Sequence, residues 1–418
     1  MKKLNAIDLF SGAGGLSEGF LETNRFNFLA HIEWETPMVE TLRNNLIKRW
    51  GYSQEKACKS VIRFDIQKTE ELINGNWTAD TKKVYESINH PLIVKKGLNG
   101  LIGDKKVDVI IGGPPCQAYS LAGRAQDPFS MKLDYRNYLF ESFVKVVNRF
   151  RPKVFVFENV PGILSAKPGD KFVIDRIYEA FEQIGYEIRT PNDLKKSIYS
   201  ASDFDVPQER HRVIIIGVNK DCKDLKVEEF YSALDDLKTH KPKKTVRDAI
   251  GTLPKFKPLS CPIKIGRHNI SYELIGDVKI PLHEARYNSL REINVFREWV
   301  RNDMNSLPNS EKLDYYEKVT GHKTNHNKYR SLEWDKPSPT IVSHLYKDGY
   351  MFIHPDSTQA RSITVREAAL LQSFPLDYEF IGSNAYCFKM IGNAVPVLFA
   401  KSIAIALAKV LEEHNEND

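Results

Sequence analysis

The sequence predicts an α/β fold: a doubly wound, mostly parallel sheet that carries a second, smaller domain. Three observations predict it. Short apolar runs of strand length alternate with amphipathic helical patterns as far as Val218. A glycine-rich turn joins the first run to the first helix. Beyond Val218 the alternation stops, and a proline- and lysine-rich stretch over 240–264 marks a boundary near Lys244.

Residues 4–10 form an extended apolar run that turns through Ser11-Gly12-Ala13-Gly14-Gly15 into a helix over 16–21. Glycines let the backbone take positive φ and approach a ligand, and the helix start offers unpaired N–H groups. A second strand over 26–32 ends in Glu33-Trp34. A carboxylate there can accept both hydroxyls of a ribose, and an indole can stack on a base. A nucleoside-bearing cofactor is the expected occupant.

Further strands are predicted at 60–66, 106–111, 153–157 and 213–218, with helices at 38–49, 136–150 and 171–184. In an open sheet of this kind ligands bind beyond the strand carboxyl ends, so Asp65, Cys116 and Glu158 are expected at one pocket. A lone cysteine is more often a small buried hydrophobe. Cys116, however, follows Gly113-Pro114-Pro115 just past a strand end, which makes it a candidate nucleophile. The polar, lysine-rich stretch over 67–105 has the look of an insertion and suggests no chemistry.

The predicted domains are 1–244 with 380–418, and 245–379. The second contains Arg267, His268, Asn269, Arg286, Tyr287, Arg291, Lys323, Asn325, Lys328 and Tyr329, all suited to phosphates or base edges. Ile293, Phe296, Trp299 and Val300 mark the core face of a helix over 290–300. His322 and His326 have ligand-like spacing but no cysteine or carboxylate cluster nearby, so no metal site is expected. The closing helix, 395–411, should return to the first domain and pack beside the opening strand.

The net charge of +6 agrees with a polyanionic partner without requiring one. Five cysteines, an odd number without paired spacing, predict a reducing compartment. The longest apolar runs are of strand length, so neither a signal peptide nor a membrane span is expected.

Six segments, taken in order, resemble the motifs of the DNA cytosine carbon-5 methyltransferases. They are Asp8-Leu9-Phe10-Ser11-Gly12-Ala13-Gly14-Gly15, Gly113-Pro114-Pro115-Cys116-Gln117, Glu158-Asn159-Val160, Gln208-Glu209-Arg210-His211-Arg212, Arg366-Glu367-Ala368-Ala369 and Gly392-Asn393-Ala394-Val395-Pro396. The resemblance spans nearly the whole chain; the 67–105 stretch and the target-reading region depart from it. It implies a Rossmann-like fold that binds S-adenosylmethionine, with a target-recognition domain as the smaller lobe and duplex DNA in the cleft between the two. It makes Cys116 the nucleophile toward carbon 6 of cytosine and Glu158 the group at ring nitrogen 3. Arg212 would hold the exocyclic oxygen and orient Glu158, and Arg210 would lie near the nucleophile and the DNA backbone. In the cofactor pocket Phe10 and Trp34 would sandwich the adenine, Glu33 would take the ribose, and Asp65 would accept from the amino group with Ile66 beside it. Ser11, Gly12, Ala13, Gly14 and Gly15 would hold the methionine part, while Pro114, Leu139, Asn393 and Ala394 would complete the pocket. The segment 118–136, with Ser120, Arg124 and Gln126, is expected to close over a swung-out base.

The resemblance further implies a monomeric cytoplasmic enzyme, with a cognate restriction endonuclease that shares its site without a stable complex. Two other readings compete: a tRNA cytosine methyltransferase of the same fold, whose usual Cys-Phe-Thr signature is absent here, and a catalytically silent DNA-binding module, which would have no reason to keep Cys116, Glu158 and Arg212 together.

Overall fold

The computed structural model describes residues 2–115, 139–347 and 349–415. The chain forms two compact units, one of 1–204, 210–240 and 394–418, the other of 205–209 and 241–393.

The first unit is built on a sheet of eight strands: β1 (Leu4–Leu9), β2 (Phe26–Glu33), β3 (Val61–Arg63), β4 (Val109–Gly112), β5 (Val154–Asn159), β6 (Tyr186–Glu187), β7 (Ile198–Ser200) and β9 (His211–Asn219). The short β8 (Gln208–Glu209) belongs to the second unit. The order is β3-β2-β1-β4-β5-β9-β6, with β7 also paired to β9. Strands β1 to β5 pair in parallel, and β1 is the switch point, with β2 on one side and β4 on the other. Helices cover both faces, which is why β4 and β5 are buried along their whole length and β5 is apolar up to Phe157, where Glu158 and Asn159 end it. Sequence periodicity does not reveal strand direction, and β9 runs antiparallel to β5, with Asn159 opposite Val213. The amino end of β9, and not its carboxyl end, therefore lies beside the carboxyl end of β5.

Helix α1 (Gly15–Glu22) follows the glycine turn and α2 (Thr36–Trp50) follows β2. The stretch 67–105 is more than a polar connection. It contains α4 (Thr69–Asn74), α5 (Ala79–Tyr85) and α6 (Pro91–Ile102), after the short α3 (Gln54–Ser60). Trp77 and Tyr85 pack on Phe64 with ring centroids 4.7 and 5.2 Å away, and Leu72, Ile73, Ile93, Val94, Leu98 and Ile102 join the same core. Helix α7 (Leu139–Phe150) buries Leu139, Phe143 and Val147 against the sheet, and α8 (Val173–Gln183) buries Ile177 and Phe181 beside it.

The last helix of the chain packs on the first. Were Gly19 of α1 given a Cβ, that atom would fall 2.5 Å from the backbone of Val397 and Lys401, so only glycine permits the approach. The apolar stretch Asn384–His414 is long enough to cross a membrane, contrary to the strand-sized runs expected, but 72% of its most apolar window is buried inside the fold.

In the second unit, β8 pairs in parallel with β12 (Ser338–Pro339), and β10 (Phe256–Ile265) pairs with β11 (His268–Leu274) as an antiparallel hairpin. The sequence pattern showed no strand here, because Pro258 and Pro262 interrupt β10. The first unit also holds α9 (Val227–Asp235), and the second unit has α10 (Val246–Ile250), α11 (Leu290–Arg301), α12 (Asn309–Thr320) and α13 (Val365–Leu371). Their core gathers Phe256, Tyr272, Ile293, Phe296, Trp299 and Tyr329. A buried ion pair joins Arg361 to Glu367, with Arg361 Nη2 2.6 Å from Glu367 Oε1 and Nη1 2.7 Å from Oε2. The guanidinium holds the Glu367 carboxyl down at about 2 against its burial. Helix α14 (Asn384–Asn393), expected in the first domain, packs in this unit instead. Gln372 donates to the carbonyl of Ile391 at 2.7 Å, and Arg286 lies over the Phe388 ring.

Candidate active site

The glycine turn and the end of β2 form one hydrogen-bonded unit. Phe10 and Gly12 take φ of 59° and 55°, and Gly14, at φ 88°, caps α1 without a side-chain bond. A non-glycine residue at positive φ is a strained position, and such strain concentrates at ligand sites. The Ser11 N–H and hydroxyl both donate to the Ile32 carbonyl, at 3.0 and 3.1 Å. Glu33 is buried and accepts three backbone N–H groups: Gly12 on Oε2 at 2.8 Å, and Trp34 and Glu35 on Oε1 at 2.8 and 2.9 Å. Burial pushes its carboxyl up to about 7 in spite of those three donors.

Around it, Trp34 is 52% exposed and its carbonyl is held by Arg63 Nε at 3.1 Å. Phe10 packs half-buried on the main core. Asp65 accepts the Gln67 N–H at 3.0 Å, and Ile66 is buried next to it. Ala13 and Gly15 are buried in the turn, as is Leu139 at the start of α7.

The second cluster lies at the carboxyl ends of β4 and β5. Glu158 accepts from Arg212 Nε at 2.6 Å, both side chains being nearly buried. The antiparallel course of β9 brings Arg212 there. Gly113 leaves no room for a side chain, since a Cβ would lie 2.6 Å from Glu158 Oε2. Asn159, to which the sequence assigned no role, donates through Nδ2 to the Pro114 carbonyl at 3.2 Å and so ties the segment after β4 to the end of β5. Its place directly after Glu158 was the available signal. Arg210 is 1% exposed, so a contact with a DNA backbone requires it to be uncovered. Cys116 and the segment 118–136 lie outside the described residues. Asn393 is exposed at the end of α14, and Ala394 begins the segment that returns to the first unit.

Two of the expected nucleic-acid contacts have other employment. Tyr329 is buried in the core of the second unit, and Arg286 donates to the carbonyls of Leu345 and Tyr346 at 3.3 and 2.6 Å.

The family described as C-5 cytosine-specific DNA methylase matches residues 4–409. The type II methyltransferase M.Bpa9945I of Bacillus paralicheniformis is 34% identical over 98% of this chain and 99% of its own length. The type II methyltransferase M1.HphI of Haemophilus parahaemolyticus is 33% identical over 97% of this chain and 87% of its own. Among solved structures, an E. coli prophage-encoded protein described as a DNA modification methyltransferase superposes with a TM-score of 0.61 at 23% identity, covering 98% of this chain and all of that one. The Dnmt2 methyltransferase of S. pombe gives 0.53 at 14% identity, over 99% of this chain and 100% of that one. These two show a shared fold.

Proposed function

Because this chain belongs to the C-5 cytosine-specific DNA methylase family and is a cytosine-5 methyltransferase of the restriction–modification type, we propose that it works through a covalent adduct at Cys116. Its donor is S-adenosylmethionine, and its acceptor is a cytosine swung out of a specific duplex sequence. As a monomer in the cytoplasm it shields that sequence from a cognate endonuclease.

The residues at the first two strand ends suit the cofactor. Glu33 Oε2, which accepts only the Gly12 N–H, keeps a lone pair for a ribose hydroxyl, and Trp34 and Phe10 offer faces to the adenine. Asp65 offers an acceptor to the amino group beside Ile66, and the open N–H groups after Gly14 suit a carboxylate. When bound, the cofactor supplies an electrophilic methyl group.

Carbon 5 of cytosine is a poor nucleophile and is hidden between stacked neighbours, so the base must leave the helix and be activated. The Cys116 thiolate adds to carbon 6, and the displaced electron pair moves toward ring nitrogen 3, the position assigned to Glu158. Carbon 5 would then take the methyl group as its bond to the donor's sulfur breaks and leaves a neutral thioether, and a water that removes the carbon 5 proton would let the 5,6 double bond re-form and expel the thiolate. Arg212 fixes the Glu158 carboxyl and donates to the exocyclic oxygen; Arg210 lies two residues before it on the same segment.

The observation that carries this reading is the Glu158–Arg212 pair, held at the strand end beside the approach to Cys116. Tritiated methyl transfer tests it, with duplex DNA and tRNA offered side by side. Label in the duplex is expected; label in tRNA alone, or in neither, overturns it.

A further inference from the structure

The β10–β11 hairpin divides into two halves. At its base, Phe256 pairs with Leu274 and Tyr272 packs into the core, its hydroxyl donating to Asn288 and to the Ala360 carbonyl at 3.2 and 2.8 Å. After Pro258 the ladder breaks and resumes only at Ile263, so residues 259–262 form a bulge that sets off an outer half. The outer half has three cross-strand pairs, Ile263 with Ile270, Lys264 with Asn269 and Ile265 with His268. Gly266, at φ 59°, and Arg267 close it as a two-residue turn.

Nothing in its own unit covers this outer half. Ile263 and Ile265 are 48% and 58% exposed, on the same face as His268, and Lys264 and Asn269 share the other face. Among the described residues, the side chains of Lys264, Arg267, His268 and Asn269 make no hydrogen bond or ion pair, unlike Arg286 and Tyr329, which the fold occupies. From Ala249 to Tyr272 the sequence holds four lysines and arginines and no acidic residue. A two-stranded ribbon fits a major groove about 12 Å wide. A fold that leaves isoleucines bare and amide and guanidinium donors unengaged on such a ribbon has the makings of a surface that is covered in use.

We propose that the outer half of this hairpin enters the major groove of the substrate duplex, with Arg267 and Asn269 reading base edges and Lys264 contacting phosphate. The assignment rests on the proposed function, because it takes duplex DNA as the substrate. Arg267 supplies the paired donors that a guanine edge accepts, and Asn269 supplies the donor and acceptor that match adenine. Ile263 and Ile265 lose exposed apolar surface against the groove, where the methyl groups of thymine or methylcytosine lie.

The test uses the full chain and a duplex library randomised around the wild-type target, with methylated positions read by bisulfite sequencing. Arg267→Ala and Asn269→Ala are each expected to relax discrimination at one base pair, lowering the ratio of kcat/KM for right over wrong base about ten- to a hundredfold. Lys264→Ala should weaken binding at every sequence alike and reduce the salt slope of affinity by about one. Thermal unfolding at the wild-type temperature confirms that each variant is folded. Folded Arg267→Ala and Asn269→Ala variants that keep wild-type discrimination at every position overturn the assignment while leaving the enzyme a methyltransferase. If the wild-type protein methylates no duplex at all, it is the proposed function that fails.

Discussion

The backbone N–H of Gly12 donates to Glu33 Oε2 at 2.8 Å, which couples the turn after the first strand to the end of the second. Neither residue can shift alone, so the groups assigned to the two ends of the cofactor are held in one register. The coupling has a cost, because it keeps a carboxyl buried.

That cost gives a dependence on pH. With its carboxyl raised to about 7, Glu33 binds its proton more tightly in the folded than in the unfolded chain. In the ligand-free protein the contribution of Glu33 to stability should therefore be complete below the ordinary carboxylate range and be lost as pH rises toward 7. Unfolding midpoints across pH 4 to 8 check this, and Glu33→Gln should remove the slope. The cofactor's hydroxyls favour the ionised form, so affinity should rise over the same interval. Glu33→Ala should lower it about ten- to a hundredfold, corresponding to about 1 to 3 kcal/mol, as titration calorimetry would read.

Cys116→Ala should abolish methyl transfer yet still bind cofactor and DNA. Duplex containing 5-fluorocytosine should trap the wild-type protein, since the fluorine cannot leave as a proton does, and a band of higher mass on a denaturing gel reports it. Turnover by the alanine variant above a trace would rule out the adduct.

Gly113→Ala places a methyl group against Glu158 Oε2 and should drive that carboxyl off its position. A shift of about 1 Å in a reacting group can cost about a hundredfold in rate. Single-turnover kinetics should show the loss in the chemical step, with cofactor affinity preserved. Glu158→Gln should cost about 10²- to 10⁴-fold, and its combination with Arg212→Ala should be far less than additive.

In the second unit, Arg361→Met strands the buried Glu367 carboxylate and should destabilise the fold by about 3 to 5 kcal/mol. Because the pair holds Glu367 down at about 2, the stability it provides is complete above the ordinary carboxylate range and disappears as pH falls toward 2. Acid titration of unfolding should show the wild-type protein losing that advantage over Arg361→Met.

The sequence exposes most of the first-unit strands because they are short, largely apolar runs bounded by glycine or charge, as in 106–111 and 153–157, whereas β6 and β7, of two and three residues, are too short to show. It exposes Glu33 and Glu158 because both end such runs. It hides the direction of β9, which depends on the route of the chain between strands and leaves no trace in local pattern. In 67–105, α4 and α5 are too short to show a period, and α6 is interrupted at Gly97, where the backbone leaves helical geometry and breaks the spacing of its buried positions. The hairpin was invisible for a different reason, since two prolines and a bulge erase its alternation. Nothing local distinguishes Arg286, bound to two carbonyls, from Arg267, whose side chain makes no hydrogen bond or ion pair among the described residues.

The contact of Gly19 with Val397 and Lys401 also bears on how the protein is made. Helix α1 leaves the ribosome long before its partner, the helix Val397–Asn415. Until then the buried side of α1, with Phe20 and Leu21, has no lid from that quarter. A nascent chain stalled short of that helix would offer an apolar surface to chaperones and proteases. Synthesis of that helix, more than any earlier step, would then be the event that closes this side of the first unit.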